Sequence, residues 1–320
     1  MNNILVTGGT GNIGMYAVSE LLMRGHNVVV LDNAPASTIF NSIAPTALLV
    51  QGDILDRKLI SWIVRAHDID RILHLAAFLG PDSMTDPIKA LEVNCRGTAN
   101  IFDVALEHGV KRVCWTSSIA ALGAMPDYDG RLVDETYRVA PTTPYGASKY
   151  YCELMSGIYL ARGLDITCIR PVFAFGLGKL SGSWGANYNR VIYNAAVGLP
   201  SKFPAWSRNG LQLIYNKDQA KLCVDATLND PASGRGSNWL FNTPADAPYS
   251  EEKFIACIKA VVPDAEITRD PNPPFGSAFP PNVDGTKALR ELGFKPTYGI
   301  AGGISDMVSY YRQYPEQQTG

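Results

Sequence analysis

Tyr145 and Lys149 stand four residues apart in the run Tyr145-Gly146-Ala147-Ser148-Lys149. On a helix that spacing puts both side chains on one face, about one turn apart. A free phenol has a pKa near ~10 and is a poor base at neutral pH. A neighbouring ammonium favours the phenolate and brings the pair toward useful acid/base work. Ser118 closes the apolar run Trp115-Thr116-Ser117-Ser118. There its hydroxyl can bond a reacting oxygen and share the proton's path. Its neighbour Ser117 should face the other way and is the weaker candidate.

A second constellation lies at the start of the chain. Thr7-Gly8-Gly9-Thr10-Gly11-Asn12-Ile13-Gly14 falls between a strand pattern and a helix pattern. Gly8 permits the tight turn, Gly11 lets backbone approach a pyrophosphate, and Gly14 lets the helix pack on the strand. The helix N-terminus then directs its N–H groups at the anion. Asp32 ends the next strand, roughly twenty residues on, where a carboxylate accepts from the adenosine ribose hydroxyls. A carboxylate there repels a 2′-phosphate, and no arginine follows within Asn33–Asn41. The cofactor expected is therefore NAD, whose nicotinamide cation adds to the effect of Lys149 on the phenol. Asn12, Ile13 and Asn33 belong to the same walls. Asp53, with Ile54 beside it, is placed to reach the adenine edge. The small run Leu75-Ala76-Ala77 leaves room for the phosphate-ribose half.

These residues need a particular scaffold. Strand patterns occur at Asn3–Thr7, Asn27–Asp32, Ala47–Gln51, Arg71–Ala76, Arg112–Ser117 and Asp165–Arg170. Helix patterns alternate with them at about Ile13–Arg24, Arg57–Ala66, Pro87–His108 and Pro144–Ala161. Continuously apolar strands alternating with helices mean a parallel sheet covered on both faces, the doubly wound α/β arrangement known as the Rossmann fold. After Pro171 the pattern loosens. Helices are expected at about Asn187–Val197, Asp218–Asn229 and Glu251–Val261, with a strand near Trp239–Asn242. Asp270–Pro281 holds five prolines in twelve residues and can be neither helix nor central strand. The expected division is a cofactor-binding domain over 1–171 plus about 212–245. A smaller substrate-binding lobe takes about 172–211 and 246–320.

Composition narrows the classes. The net charge is -2 over 320 residues, with 18% charged residues. That gives no basic excess for nucleic acid or an anionic membrane. The four histidines have no metal-ligand spacing, and the six cysteines form no C-x-x-C pair. The cysteines sit in apolar runs and read as reduced, buried thiols. No apolar stretch approaches the ~18 residues of a membrane span. With no charged leader ahead of the first strand, a cytoplasmic protein is expected.

Taken together, the motifs resemble those of an extended short-chain dehydrogenase/reductase of the NAD-dependent epimerase/dehydratase superfamily. The matching pieces are Gly8–Gly14, Asp32, Gly52-Asp53-Ile54, Leu73–Ala77, Val93-Asn94 with Gly97-Thr98, Ser117-Ser118 with Gly123, Tyr145 with Lys149, Arg170-Pro171, Ile214–Asp218 and Leu292-Gly293-Phe294. The resemblance spans the whole chain. It implies Asn94 near the nicotinamide side of the site, with Val172 and Phe173 bordering the nicotinamide and Thr116 and Pro171 alongside. It also implies a homodimer through the helices around Ala99–His108 and Tyr145–Ala161. Leu79, Gly80, Ile119, Ala120, Phe173 and Trp184 are the candidates for the substrate's surroundings, with Ser118 and Tyr145.

One part of the pattern is broken. Relatives acting on nucleotide sugars carry an arginine just before the segment matching Ile214–Asp218, and another in the last quarter, to hold a diphosphate. Here the first place reads Asn209-Gly210-Leu211-Gln212-Leu213, and Asp270–Pro281 has no cation. A buried diphosphate needs charge-assisted donors, so a smaller substrate is expected unless Arg208 or Lys202 supplies the cation. Dehydratases of such a family place an acidic pair between the serine and the tyrosine helix, and no pair so placed is read. The leading expectation is a dehydrogenase or reductase of a sugar, sugar acid or related alcohol. A 4-epimerase of a nucleotide sugar with retained NAD is the alternative. A non-catalytic NAD sensor is the third, against which the intact Tyr145 and Lys149 argue.

Overall fold

The computed structural model describes residues 1–123, 131–178, 180, 184–203, 210–232, 234, 239–270 and 282–315. The first half builds β1 (Asn3–Thr7), α1 (Gly14–Met23), β2 (Asn27–Asp32), α2 (Thr38–Ile43), β3 (Leu48–Gln51), α3 (Arg57–Ala66) and β4 (Arg71–His74). It continues with α4 (Gly80–Thr85), α5 (Pro87–Ala90), a π-helical turn over Leu91–Gly97, α6 (Thr98–Glu107), β5 (Arg112–Thr116), α7 (Pro144–Ala161) and β6 (Ile166–Arg170). The second half adds β7 (Phe173–Phe175), α8 (Trp184–Ala196), β8 (Ser201–Phe203), β9 (Leu213–Tyr215) and α9 (Asn216–Leu228). Last come β10 (Leu240–Asn242), α10 (Glu251–Val261), β11 (Ile267–Arg269), α11 (Thr286–Leu292) and α12 (Gly299–Gln313).

Seven strands form one parallel sheet in the order β10-β6-β5-β4-β1-β2-β3. The order reverses between β1 and β4, so the crevice where such sheets bind ligands opens at the C-terminal ends of those two strands. Alternation along β1 explains the two layers. Ile4 and Val6 join the core that includes α1 and α9, whereas Leu5 joins the core built with α3, α6 and α7. Both faces are apolar, as the unbroken hydrophobic runs require. β10 completes this sheet beside β6, and α9 packs on α1. α12 instead lies against α8 and α10. Two small parallel pairs, β7 with β9 and β8 with β11, stand apart from the main sheet.

The structure corrects two expected elements. The helix expected over Pro87–His108 is three pieces, because the π-turn over Leu91–Gly97 interrupts it. The strand expected over Arg71–Ala76 ends at His74, after which only the Leu75 N–H continues the ladder, to the Thr7 carbonyl at 3.0 Å.

Candidate active site

The glycine loop sits at the sheet's reversal point. Gly8 has φ +71, in the left-handed region that favours glycine, and a methyl there would stand 2.6 Å from the Ala76 nitrogen. A methyl on Gly14 would overlap the Gly8 carbonyl oxygen, so α1 starts directly on the loop. Around Gly11 the nearest atom to such a methyl is the Gly8 carbonyl oxygen, a tight 3.3 Å within the loop itself. Ile13 caps α1 without a side-chain hydrogen bond. The Met15 N–H is taken by the Gly11 carbonyl at 3.0 Å, so α1 opens directly on the loop, and a helix N-terminus so placed attracts a pyrophosphate. Asn12 reaches across to Gly178, where a methyl would overlap its Oδ1.

Asp32 is tied to this loop. Its Oδ2 accepts from the Thr10 N–H and its Oδ1 from the Ala34 N–H, both at 3.0 Å. Asn33 is exposed, and its carbonyl accepts from Gln51 Nε2 at 3.3 Å. Asp53 is also exposed, and its Oδ1 closes a turn with the Leu55 N–H at 2.9 Å. Ile54 is buried against Gly97, while Asn100 Nδ2 holds the Ile54 and Leu55 carbonyls. Leu75, Ala76 and Ala77 line the exit of β4, half-buried. The loop, the acid and the small residues fit the two phosphates and the adenosine ribose of NAD.

The expected acid/base pair is carried by α7. Thr143 caps that helix by accepting from the Gly146 N–H at 3.0 Å, with Pro144 in the first turn. A methyl on Gly146 would overlap the Ala120 carbonyl oxygen. That glycine thus lets α7 close onto the 3₁₀ turn Ile119–Ala121, which begins just after Ser118. Ser118 is half-buried, and its Oγ accepts from the Ala120 N–H at 3.1 Å. Ser117 faces the other way and donates to Glu153 Oε1 at 2.6 Å. Lys149 is buried, and its Nζ donates to the Thr116 carbonyl at 2.8 Å. The same ammonium lies 5.7 Å from the centroid of the half-buried Tyr145 ring.

Asn94 occupies the π-turn and stitches two segments together. Its Nδ2 donates to the Phe78 carbonyl and to Ser148 Oγ, each at 3.0 Å, and its Oδ1 accepts from the Phe78 N–H at 2.8 Å. Ser148 in turn donates to the Tyr145 carbonyl at 2.8 Å. Pro171 holds the Ile119 N–H through its carbonyl at 3.1 Å. Val172 is buried, and Phe173 is half-buried at the start of β7.

The expected substrate neighbours are less uniform. Ile119 and Ala120 are each only 4% exposed, so their side chains pack inward and offer a substrate little beyond backbone. Leu79 is exposed beside Gly80, which opens α4. Trp184 begins α8, and its side chain lies outside the described residues. The proline-rich segment lies outside them too, apart from Asp270.

An acidic pair does fall between Ser118 and Tyr145, namely Asp134-Glu135, which the sequence reading passed over. Glu135 accepts from the Asn242 N–H at 2.8 Å, and Asp134 closes a turn on Thr136. Both carboxylates are thus engaged, Asp134 by Thr136 and Glu135 by Asn242. The sequence reading also missed Ser148, Glu153 and Asn100, whose partners come from remote elements. His74 was the one legible signal, a lone polar residue inside the apolar run Arg71-Ile72-Leu73-His74-Leu75. Among the described residues no cluster of side chains could hold a metal ion, and no helix is long and apolar enough to cross a membrane.

Known proteins carry the same plan. The chain is 33% identical to the UDP-glucose 4-epimerase of Streptococcus mutans over 98% of each chain. It is 28% identical to the mitochondrial L-threonine 3-dehydrogenase of Bos taurus, over 96% of this chain and 82% of that one. A further UDP-glucose 4-epimerase matches over 63% of its own length. Among solved structures, the Thermotoga maritima UDP-glucose 4-epimerase with UDP-glucose superposes with a TM-score of 0.85 at 23% identity, covering 98% of this chain and 100% of that one. At that identity the likeness carries the fold. The family model for the NAD dependent epimerase/dehydratase family matches residues 4–239. With the glycine loop, Asp32, Tyr145 and Lys149 in place, the chain belongs to this family and is an NAD-dependent enzyme.

Proposed function

We propose that this enzyme is a dehydrogenase that moves hydride between NAD and a small hydroxyl or carbonyl substrate carrying no diphosphate. Tyr145 takes or returns the hydroxyl proton, and Ser118 orients the reacting oxygen. Lys149, fixed to the Thr116 carbonyl, supplies positive charge beside the phenol. NAD, when bound, supplies the hydride acceptor. Gly8, Gly11, Asn12, Ile13 and Gly14 would hold its pyrophosphate, with Asp32 and Asn33 at the adenosine ribose and Asp53 and Ile54 near the adenine. Leu75, Ala76 and Ala77 would leave room for the phosphate-ribose half, and Asn94, Thr116, Pro171, Val172 and Phe173 would wall the nicotinamide. The substrate would meet Ser118, Tyr145 and Phe173, with Leu79, Gly80 and Trp184 at its rim and the backbone of Ile119 and Ala120 beneath.

The observation that carries the substrate class is the segment where a diphosphate-binding cation is expected. Leu211 is buried and bonded through its backbone to Tyr249. Gln212 is 4% exposed, and its amide is consumed by other backbone. Its Oε1 accepts from the Val283 N–H at 2.6 Å, and its Nε2 donates to the Val283 carbonyl at 3.1 Å. A carboxamide so held cannot turn to a phosphate.

The epimerase reading is favoured by the 33% identity to the Streptococcus mutans enzyme over nearly the whole of both chains. There the same residues would withdraw and return hydride at one sugar carbon, and NAD would stay bound. Purified enzyme given a panel of small alcohols, sugar acids and hydroxy-amino acids should accumulate NADH. Epimerisation of a nucleotide sugar without net NADH, by protein that retains NAD through gel filtration, would replace the dehydrogenase reading.

The homodimer belongs to this reading. Tyr151, Leu154 and Ile158 lie on one face of α7 and are each at least 55% exposed, and Leu106 is exposed on α6. A stripe of this kind on a helix face suits a second copy of the same surface. Wild-type protein should sediment as a dimer, and Leu154→Glu should sediment as a monomer. A monomeric wild type would remove the proposal. The cytoplasm remains the proposed compartment, supported by free thiols at all six cysteines.

A further inference from the structure

A buried chain of hydrogen bonds runs from the cofactor loop to the tyrosine helix. The Ala76 N–H lies 3.4 Å from Thr7 Oγ1, and Thr7 Oγ1 lies 2.6 Å from His74 Nδ1. His74 Nε2 is 3.0 Å from Thr98 Oγ1, which donates to the Asn94 carbonyl at 2.6 Å. Thr7, His74, Thr98 and Asn94 are each no more than 2% exposed. From Asn94 the path continues through Ser148 Oγ to the Tyr145 carbonyl.

The direction of every bond follows from its last acceptor. A carbonyl only accepts, so the single Thr98 hydroxyl proton is spent on Asn94. Thr98 Oγ1 must then accept from His74, which places the ring proton on Nε2. Burial, with the Lys149 ammonium nearby, pushes His74 down to about 3, so the ring is neutral and Nδ1 accepts from the Thr7 hydroxyl. A doubly protonated ring would turn Nδ1 into a donor, and Thr7 would have to rotate its own proton away to receive it.

The chain meets the helix at its irregular point. A threonine hydroxyl that bonds the carbonyl four residues back competes with the helical ladder and bends it. Here that carbonyl belongs to Asn94, inside the π-turn. π-Turns in helices gather at functional sites. This one aims the Asn94 side chain at both Phe78 and Ser148.

We propose that His74 is a positioning residue for catalysis. Through Thr98 it holds the Asn94 carbonyl in the π-turn, and through Asn94 and Ser148 it fixes the first turn of α7, which carries Tyr145. The same ring anchors Thr7 at the edge of the glycine loop, so cofactor cradle and acid/base residue share one hydrogen-bonded frame. The proposal rests on the hydride-transfer reading above.

The test uses His74→Phe, Thr98→Val, the double variant and His74→Gln in NAD-loaded enzyme. Turnover is measured in whichever reaction the wild type performs. Misplacing a reacting group by about 1 Å costs on the order of 10²-fold in rate. His74→Phe and Thr98→Val should therefore each lower kcat by about 10–10²-fold, with KM moving far less. The double variant should be no worse than the poorer single, because both cut the same chain. His74→Gln, which can still donate to Thr98, should recover part of kcat. Thr98→Val changes only a hydroxyl to a methyl, so it keeps the test open if His74→Phe does not fold. Unchanged kcat in Thr98→Val, or losses that multiply in the double variant, would overturn the proposal. An inactive wild type would instead sink the hydride-transfer reading.

Discussion

Tyr145→Phe should lower kcat by about 10²–10⁴-fold, the usual contribution of a positioned acid/base group, while NAD binding survives. The phenyl ring keeps the half-buried packing of the wild-type side chain and loses only the hydroxyl. Among the described residues, the bonds that hold Gly8 and Asp32 do not involve that hydroxyl. Gly8 is held by Leu31, and Asp32 by Thr10 and Ala34. Lys149 would also stay in place, because its ammonium donates to the Thr116 carbonyl at 2.8 Å. The variant therefore separates chemistry from cofactor binding. NAD affinity by calorimetry and single-turnover hydride transfer give the two readouts. A variant that binds NAD and turns over near the wild-type rate would remove Tyr145 from the acid/base role, whichever reaction the enzyme performs.

How much of this was readable in advance depends on how local each feature is. β1, β2, α3 and α7 have the bounds their sequence patterns suggest, because burial on both sheet faces leaves an unbroken apolar run and α7 announces itself with Pro144. Tyr145 and Lys149 were legible for the same reason, since one helix sets their spacing. The break in the helix after Pro87 was not, because the competing bond comes from Thr98 and is itself held by His74, twenty-four residues away. β7 and β9 are three-residue strands that exist only by pairing with each other. α12 carries glycines at 299, 302 and 303, which weaken its own propensity. Its start is secured by remote Asp218, whose carboxylate accepts from the N–H groups of Tyr298 and Gly299. No window of sequence contains both partners.

The buried ion pair behind the tyrosine helix supplies the second large effect. Glu153 and Arg170 have side chains 4% and 1% exposed. The guanidinium donates twice, Nε to Oε1 at 2.7 Å and Nη2 to Oε2 at 2.6 Å, and Ser117 adds a third donor to the carboxylate. This joins α7 to β6 and to the end of β5, beside Ser118. Desolvation pulls the Arg170 pKa down, and the Glu153 carboxylate more than offsets that, leaving it raised. Removing the carboxylate leaves the cation buried alone. Glu153→Ala should therefore lose about 3–5 kcal/mol of stability, read as a lower urea midpoint with the slope unchanged. The pair itself is a different matter, because two charges taken from water cost about what their attraction returns. Replacing both residues by methionine should give a protein closer to the wild type than Glu153→Ala is. That ordering separates a stranded charge from a lost contact. If the double variant were the less stable of the two, the geometry of the pair itself, and not the burial of an unpaired cation, would be what holds α7 against the sheet.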